Sequence, residues 1–190
     1  GESTETTPGE KTALIIDPGC MDEKILNFIE KNEYSIKGIL ITHDHHNHVH
    51  GLRTLKKIYD ADIYAINHMI SEHKTTLIHD GDVLSIGPFT VQVFSVPGHS
   101  SDSAVYKIDK LLFTGDVLSA GLMGTTASSY GEAVQSSAIR SKILSIPGDC
   151  IVLPGHGPPS TLEAERRFNV GLEKSIKLGS QRDSLLRELW

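Results

Sequence analysis

Apolar runs alternate with amphipathic segments along the first part of the chain. The run 13–16 ends at the turn signal Asp17-Pro-Gly and predicts a short buried strand. Apolar residues between 21 and 29 repeat at helical spacing, so an amphipathic helix should follow. A second apolar run, 38–41, predicts another buried strand. The apolar positions of 52–66 then predict a further helix and strand, an alternation that is typical of α/β proteins.

The middle of the chain changes to an alternation of apolar and polar residues. Between 80 and 96 two such runs are separated by a Gly-Pro pair, which predicts a β-meander. The runs 104–108 and 111–114 predict a hairpin that turns at Asp109-Lys110. Residues 119–130 are small and polar, so we expect a loop that covers a site there.

The last part of the chain predicts helices around one more strand. A helix is expected over 132–144 and an apolar strand over 150–153. Ser160, followed three residues later by Glu163, is a capping box, and it predicts a helix that runs at least to Leu172.

Composition limits the classes of protein that this chain can belong to. Its 190 residues are 38% hydrophobic and 22% charged, which is typical of a globular protein. No apolar run approaches the roughly 20 residues of a membrane helix, so we expect no membrane span. A net charge of -6 argues against nucleic-acid binding, because phosphate contacts need clustered Lys and Arg.

We expect one domain over 1–190, since no linker, repeat or low-complexity stretch divides the chain. Residues 1–11 are polar and predict a flexible or truncated start, and 173–190 predict a helical tail. Cys20 and Cys150 form neither a CxxC motif nor a disulfide framework. Both should therefore be reduced, and the expected location is the cytoplasm.

The loops after four predicted strands carry candidate metal ligands. In chain order these are the histidine-rich segment 43–50, His99, Asp116 and His156. Imidazole and carboxylate groups bind zinc and iron, and strand ends converge when the strands are neighbours. Gly or Thr precedes the first ligand of each loop, which lets the backbone come close to a crowded site. The pattern predicts a metal site.

Each of these motifs has a simpler interpretation when it is taken alone. A Gly-His pair is more often part of a turn, Gly115-Asp116 is typical of a turn or helix cap, and a histidine-rich tract can bind metal without a fold around it. The segment 43–50, however, lies between a buried strand and a helix and not in a tail. The four motifs in this order are much more specific than any one of them.

The order of the motifs resembles the metallo-β-lactamase superfamily. The residues that carry the resemblance are Thr42-His43-x-His45-x-Asn47-His48, Gly98-His99, Thr114-Gly115-Asp116 and Gly155-His156-Gly157. Asp17-Pro-Gly, the Pro-Pro that follows Gly157, and Glu165 with Asn169 are most similar to short glyoxalase II-like hydrolases. The resemblance covers nearly all of 12–170. It implies an α/β (α+β) fold, an αβ/βα sandwich of four layers with helices outside two facing sheets.

The resemblance also implies which residues bind metal. It assigns His43, His45 and His99 to a first site, His48 and His156 to a second, and Asp116 to a bridge between them. The implied cofactor is Zn²⁺, as one or two ions in a binuclear site, with iron or manganese as alternatives. His46 and His50 have no counterpart among the family's ligands.

Residue 47 departs from the family's pattern. The motif HxHxDH has an aspartate where this sequence has Asn47. The amide removes one negative charge from the ligand set, and a carboxylate is the better partner for a dication in a partly dry site. We therefore expect Asn47 to be a weak or lost ligand and the second site to be less occupied.

The resemblance implies an enzyme, a metal-dependent hydrolase that uses metal-activated hydroxide on a thioester or an ester. Its expected partner is a small-molecule substrate, and the oligomeric state is left open. Asp116 and Asn47 are the expected catalytic residues. No serine nucleophile is required, and the sequence contains no G-x-S-x-G motif.

Two other functions stay open at this stage. A mononuclear iron persulfide dioxygenase of the same superfamily would need only His43, His99 and Asp116, and would not need Asn47. A superfamily scaffold without catalysis, weakened at the second metal site by Asn47, is the other alternative. Six of the seven ligand positions are nevertheless retained, which argues against a scaffold that has no use for metal.

Overall fold

The structure is a computed structural model that describes residues 9–173. The predicted helical tail lies outside the described residues beyond Glu173, and the predicted flexible start lies outside them up to residue 8. The first strand begins at Lys11, two residues earlier than the apolar run indicates.

Six strands and three helices make up the first half of the described chain. They are β1 (Lys11–Ile16), α1 (Glu23–Lys31), β2 (Tyr34–Leu40), α2 (His46–Val49), α3 (Leu52–Ile58), β3 (Ile63–Ala65), β4 (Met69–Ile70), β5 (His73–Lys74) and β6 (Thr76–Leu77). Helix α1 begins where Asp22 accepts a hydrogen bond from the Ile25 amide, at 3.0 Å. This satisfies one of the free amides of the first turn.

The second half is richer in strands. It contains β7 (Val83–Ile86), β8 (Phe89–Ser95), β9 (Ala104–Ile108), β10 (Leu111–Gly115), β11 (Leu118–Ser119), β12 (Leu122–Met123), α4 (Ser129–Ala138), a π-helical segment (Ile139–Ile143), β13 (Ile151–Pro154), β14 (Ser160–Thr161) and α5 (Leu162–Phe168). The predicted hairpin is confirmed as β9 and β10, with Asp109 at a φ of 51° in its turn.

Two sheets form the middle of the molecule. The first has the order β1-β2-β3-β6 and is parallel throughout. The second has the order β14-β13-β10-β9-β8-β7, in which only β10 and β13 are parallel neighbours. Strand β8 is two antiparallel steps from β10 and therefore runs in the same direction. The carboxyl ends of β8, β10 and β13 thus lie at one edge of the second sheet.

Successive side chains of a strand point to opposite faces of the sheet and pack in different hydrophobic cores. This packing produces the layers of the fold. Leu40 of β2 joins Val93 and Tyr106 of the second sheet in a buried cluster between the sheets. Ile39 of β2 and Ile41, the residue directly after the strand, pack instead with α3. On the second sheet, the residues that face away from β2 pack against the helices that follow. These are Val105, Leu112 and Val152, with Ile139, Ile143 and Leu162. The predicted αβ/βα sandwich is confirmed.

Two cross-sheet contacts join the sheets where β2 ends. The buried Tyr106 hydroxyl donates a hydrogen bond to the Ile41 carbonyl, at 2.6 Å, and the Ala104 amide donates to the Thr42 carbonyl, at 2.8 Å. These bonds hold the segment that leads into the histidine cluster against strand β9.

Several further details of the predicted elements were wrong. Helix α5 begins one residue later than the capping box indicates, since Thr161 is the N-cap and its hydroxyl accepts from the Ala164 amide. The helix does not run unbroken to Leu172, because Asn169 has an extended backbone. The predicted loop 119–130 contains part of the short β11–β12 hairpin.

None of the helices over 9–173 has the length and apolar character needed to cross a membrane.

Candidate metal centre

The predicted ligands all follow strands that end at one side of the sandwich. His43 and His45 lie on the loop after β2, and His48 lies on α2. His99, Asp116 and His156 follow β8, β10 and β13. The direction of these strands explains why residues more than 100 positions apart in the sequence meet in space.

Three histidines form a first group. One ring nitrogen from each of His43, His45 and His99 lies within 4.8 Å of the others. Nε2 of His99 is 3.1 Å from Nδ1 of His45. The three rings meet roughly edge to face, with centroids 4.5 to 5.0 Å apart, so ring nitrogens point into a shared space. This donor set suits zinc or iron.

Asp116 lies between this group and a second one. Its Oδ2 is 4.0 Å from Nε2 of His43 and 3.7 Å from Nε2 of His99. Its Oδ1 is 3.4 Å from Nε2 of His48 and 2.7 Å from Nδ1 of His156. One carboxylate oxygen thus faces each group, which is the arrangement that a bridging ligand needs.

Two nitrogens at the centre lack a partner. Nε2 of His43 and Nε2 of His48 are buried, and neither has a hydrogen-bond partner among residues 9–173. Buried polar atoms without partners are rare because their desolvation is not compensated. A cation between these nitrogens and Asp116 would remove the deficit, so the residues present fit a metal ion.

The opposite nitrogen of three rings is held by a neighbour. Nδ1 of His43 is 3.0 Å from the Thr42 hydroxyl, and Nδ1 of His99 is 2.8 Å from the Thr125 carbonyl. Nδ1 of His48 is 2.8 Å from Oδ2 of Asp17. Such contacts fix the orientation of a metal-binding imidazole and leave Nε2 for the ion.

Asp17 is a residue whose role the sequence analysis missed. Besides His48, its carboxylate accepts hydrogen bonds from the amide and the hydroxyl of Thr42, at 2.7 and 2.6 Å. It therefore ties the end of β1 to both His48 and the residue before His43. The Asp17-Pro-Gly motif indicated a turn and contributed to the family resemblance, but neither gave the Asp17 side chain a role.

Asp102, which is 4% exposed, is a second such residue. Its carboxylate accepts from the Asp44 amide and from the Asn67 side chain, both at 3.0 Å, and from the Ser100 hydroxyl. It joins the loop of His99 to the loop of His43 and His45. Asp44 itself is exposed.

The electrostatics of the centre favour a positive charge beside Asp116. Burial lowers the pKa of His43 to about 4, and the positive charges of His48 and His45 add to this. Burial would also lower the pKa of His48, but the carboxylates of Asp116 and Asp17 outweigh it and raise the pKa to about 9. The pKa of Asp116 is well below its usual range, because His48 and His156 outweigh the effect of burial.

Glycine is needed where the backbone passes the ligands. A Cβ on Gly155 would lie 2.4 Å from Cε1 of His48 and 2.6 Å from Oδ1 of Asp116. A Cβ on Gly115 would lie 2.5 Å from the Thr42 hydroxyl oxygen. The expectation that glycines allow a close approach at the metal site holds at both positions.

Asn47 is exposed on α2. It lines a cavity of about 280 Å³ together with Asp17 and His48. Its role as a weak or lost ligand stays a prediction, and so do the metal-binding roles of the histidines and Asp116.

A sequence profile described as the metallo-beta-lactamase superfamily matches residues 6–156. The chain belongs to this superfamily. It is 29% identical to the hydroxyacylglutathione hydrolase GloC of Haemophilus influenzae over 184 residues, which cover 84% of this chain and 87% of that protein.

Two further relatives agree with the family. The protein named "probable polyketide biosynthesis zinc-dependent hydrolase BaeB", from Bacillus velezensis, is 30% identical over 173 residues, 85% of this chain and 76% of that protein. The crystal structure of the BLEG-1 B3 metallo-beta-lactamase superposes with a TM-score of 0.78 at 28% identity. That match covers 85% of this chain and 89% of the other.

Proposed function

We propose that this protein is a metal-dependent hydrolase of thioesters or esters. The proposal rests on the position of Asp116, whose carboxylate presents one oxygen to each of two histidine groups. The names of GloC and BaeB, both hydrolases, support the reaction class. The first of these names describes a glutathione thioester, which makes a thioester the favoured substrate class.

His43, His45 and His99 would hold one ion, and His48 and His156 a second, with Asp116 shared between them. A divalent ion at this place supplies Lewis-acid polarisation of the substrate and a hydroxide nucleophile at neutral pH. Asp116 orients the attacking water, since its own orientation is fixed by the 2.7 Å contact of His156 with Oδ1. The Thr42 hydroxyl donates to Asp17 and serves to hold the loop, not to attack the substrate.

Zinc is the proposed metal, with iron and manganese as the alternatives. The word zinc in the name of BaeB supports this choice, and the imidazole-rich donor set suits zinc well. A dioxygenase with one iron would use only His43, His99 and Asp116. The hydrolase accounts in addition for His48 and His156, both of which face Oδ1 of Asp116.

The test is hydrolysis of a hydroxyacylglutathione thioester by zinc-loaded protein. We expect His45→Ala and Asp116→Ala each to lower kcat/KM by more than about 100-fold, because both remove a ligand of the centre and not only a supporting contact. His68→Ala is the matched control, since His68 is exposed and lies outside both groups. Its activity should equal that of the parent.

Two results would contradict the proposal. One is turnover that survives in either ligand variant. The other is the absence of thioester hydrolysis in both the parent and an Asn47→Asp variant when each is fully loaded with metal. That result would favour a scaffold without catalysis.

A further inference from the structure

The outer side of α2 carries a pair of histidines that the metal centre does not use. The His50 amide donates to the His46 carbonyl at 2.9 Å, so the two residues lie one helical turn apart. Their ring centroids are 4.5 Å apart, with the ring planes tilted by 53°. Both residues are exposed, and neither belongs to the two groups of candidate ligands at the centre.

Two imidazoles at positions i and i+4 of a helical turn can bind the same metal ion. The same spacing supplies two zinc ligands in the HExxH helices of metalloproteases. Neutral imidazole suits zinc, copper and nickel, and an exposed pair leaves the remaining coordination positions to water. His46 and His50 also border one open cavity of about 510 Å³, so an ion with its water ligands has room between the rings and solvent.

We propose that His46 and His50 form a solvent-facing binding site for one divalent transition-metal ion, separate from the metal centre. The site shares no ligand with the centre and does not depend on the hydrolase activity proposed above. An ion held there would bridge the turn that also carries His48. It would therefore stabilise the folded conformation of α2.

The experiment compares Zn²⁺ binding by three forms of the protein whose centre has first been loaded with zinc. The forms are the parent, a His46→Gln/His50→Gln variant and a His68→Gln/His79→Gln control. The control removes the same number of exposed imidazoles, but from two separate loops. Equilibrium dialysis against micromolar Zn²⁺ gives the number of ions bound per chain.

We expect the parent and the control to bind one more Zn²⁺ per chain than the His46→Gln/His50→Gln variant. Added Zn²⁺ should also raise the Tm of the first two forms more than that of the variant, because a ligand that binds only the folded state stabilises it. The single variants His46→Gln and His50→Gln should each lose the additional ion, since one imidazole is not a chelate.

Equal binding by the parent and the His46→Gln/His50→Gln variant would overturn the proposal. The proposal would also be overturned if the His68→Gln/His79→Gln control lost as much bound Zn²⁺ per chain as the His46→Gln/His50→Gln variant. Thioester hydrolysis should be the same in all three forms. A failure of the hydrolase proposal would thus appear as inactivity of the parent, without any effect on the difference in binding.

Discussion

The Asp17 carboxylate connects two parts of the metal centre through three short contacts. It lies 2.8 Å from Nδ1 of His48 and accepts two hydrogen bonds from Thr42, next to His43. Its backbone has a φ of 50°, which is uncommon for a residue other than glycine. In this conformation the Asp17 carboxylate contacts both His48 and Thr42.

We predict that Asp17→Asn weakens zinc binding by about 10- to 100-fold, the usual cost of losing a partner of a metal-binding histidine. The amide carries no charge and cannot accept all three contacts on equivalent oxygens. Competition with a chromogenic chelator measures the affinity. Asp60→Asn, at a fully exposed position, is the control, and an unchanged affinity in Asp17→Asn would contradict the role given to Asp17.

A second prediction concerns Asn47. Asn47→Asp should raise the occupancy of a second zinc ion at limiting free Zn²⁺, because a carboxylate restores the negative charge that the amide lacks. The measurement is zinc per chain after dialysis against a metal buffer. Equal occupancy in the parent and the variant would show that residue 47 does not contribute to the second site.

At the scale of the elements, the centre depends on how the two sheets are joined. Tyr106 of β9 and the end of β2 meet through the hydrogen bond to the Ile41 carbonyl. Both residues are buried, so water cannot replace the hydroxyl. This bond lies within two residues of His43 and helps to set where the histidine loop starts.

Tyr106→Phe should lower the free energy of unfolding by about 1 to 3 kcal/mol, because it leaves the buried Ile41 carbonyl without its side-chain partner. Urea denaturation measures the change. Tyr130→Phe is the matched control, since Tyr130 is 78% exposed. A loss of stability of the same size in both variants would contradict the explanation.

Asp80 links the turn before β7 to the π-helical segment. Its carboxylate is 2.8 Å from Nζ of Lys142 and accepts from the Ser95 amide, also at 2.8 Å. Burial opposes the charged form, but these two partners outweigh it and hold the pKa of Asp80 below its usual value.

We predict that Asp80→Asn costs about 0.5 kcal/mol of stability at neutral pH, the range of a partly exposed ion pair. Because the folded-state pKa is lowered, the contribution is complete above the ordinary aspartate pKa of about 4 and is lost as the pH falls below it. Urea unfolding at pH 7 and pH 3 should therefore show a difference between parent and variant that shrinks at pH 3. A difference that does not depend on pH would contradict this.

The order and type of the main elements could be predicted from local patterns, but their ends could not. The β9–β10 hairpin was correct because Asp109-Lys110 is a local turn signal. The start of α5 was placed one residue early because the Ser160 hydroxyl donates to Glu165 instead of capping the helix. The break at Asn169 arises because its side chain bonds both Glu165 and the Leu172 amide.

At the scale of the whole molecule, the candidate centre draws its side chains from both sheets. The strand-end pattern predicted that the segment 43–50 would meet His99, Asp116 and His156, since these three follow strands of the same direction. The choice of His43, His45 and His48 within that segment rested on the family resemblance. Asp17 and Asp102 could not be found in this way. Their contacts to Thr42, His48 and Asp44 span 25 to 58 residues and depend on how the loops pack.

We propose that the histidines around Asp116 and Asp116 itself form one metal centre that serves hydrolysis. The most direct measurement is metal per chain by elemental mass spectrometry, in a His46→Gln/His50→Gln background with and without Asp116→Ala. We predict at least one zinc ion per chain with Asp116 present and a large loss of zinc in the alanine variant. Equal zinc content in the two forms, or a single iron with no zinc, would contradict the account.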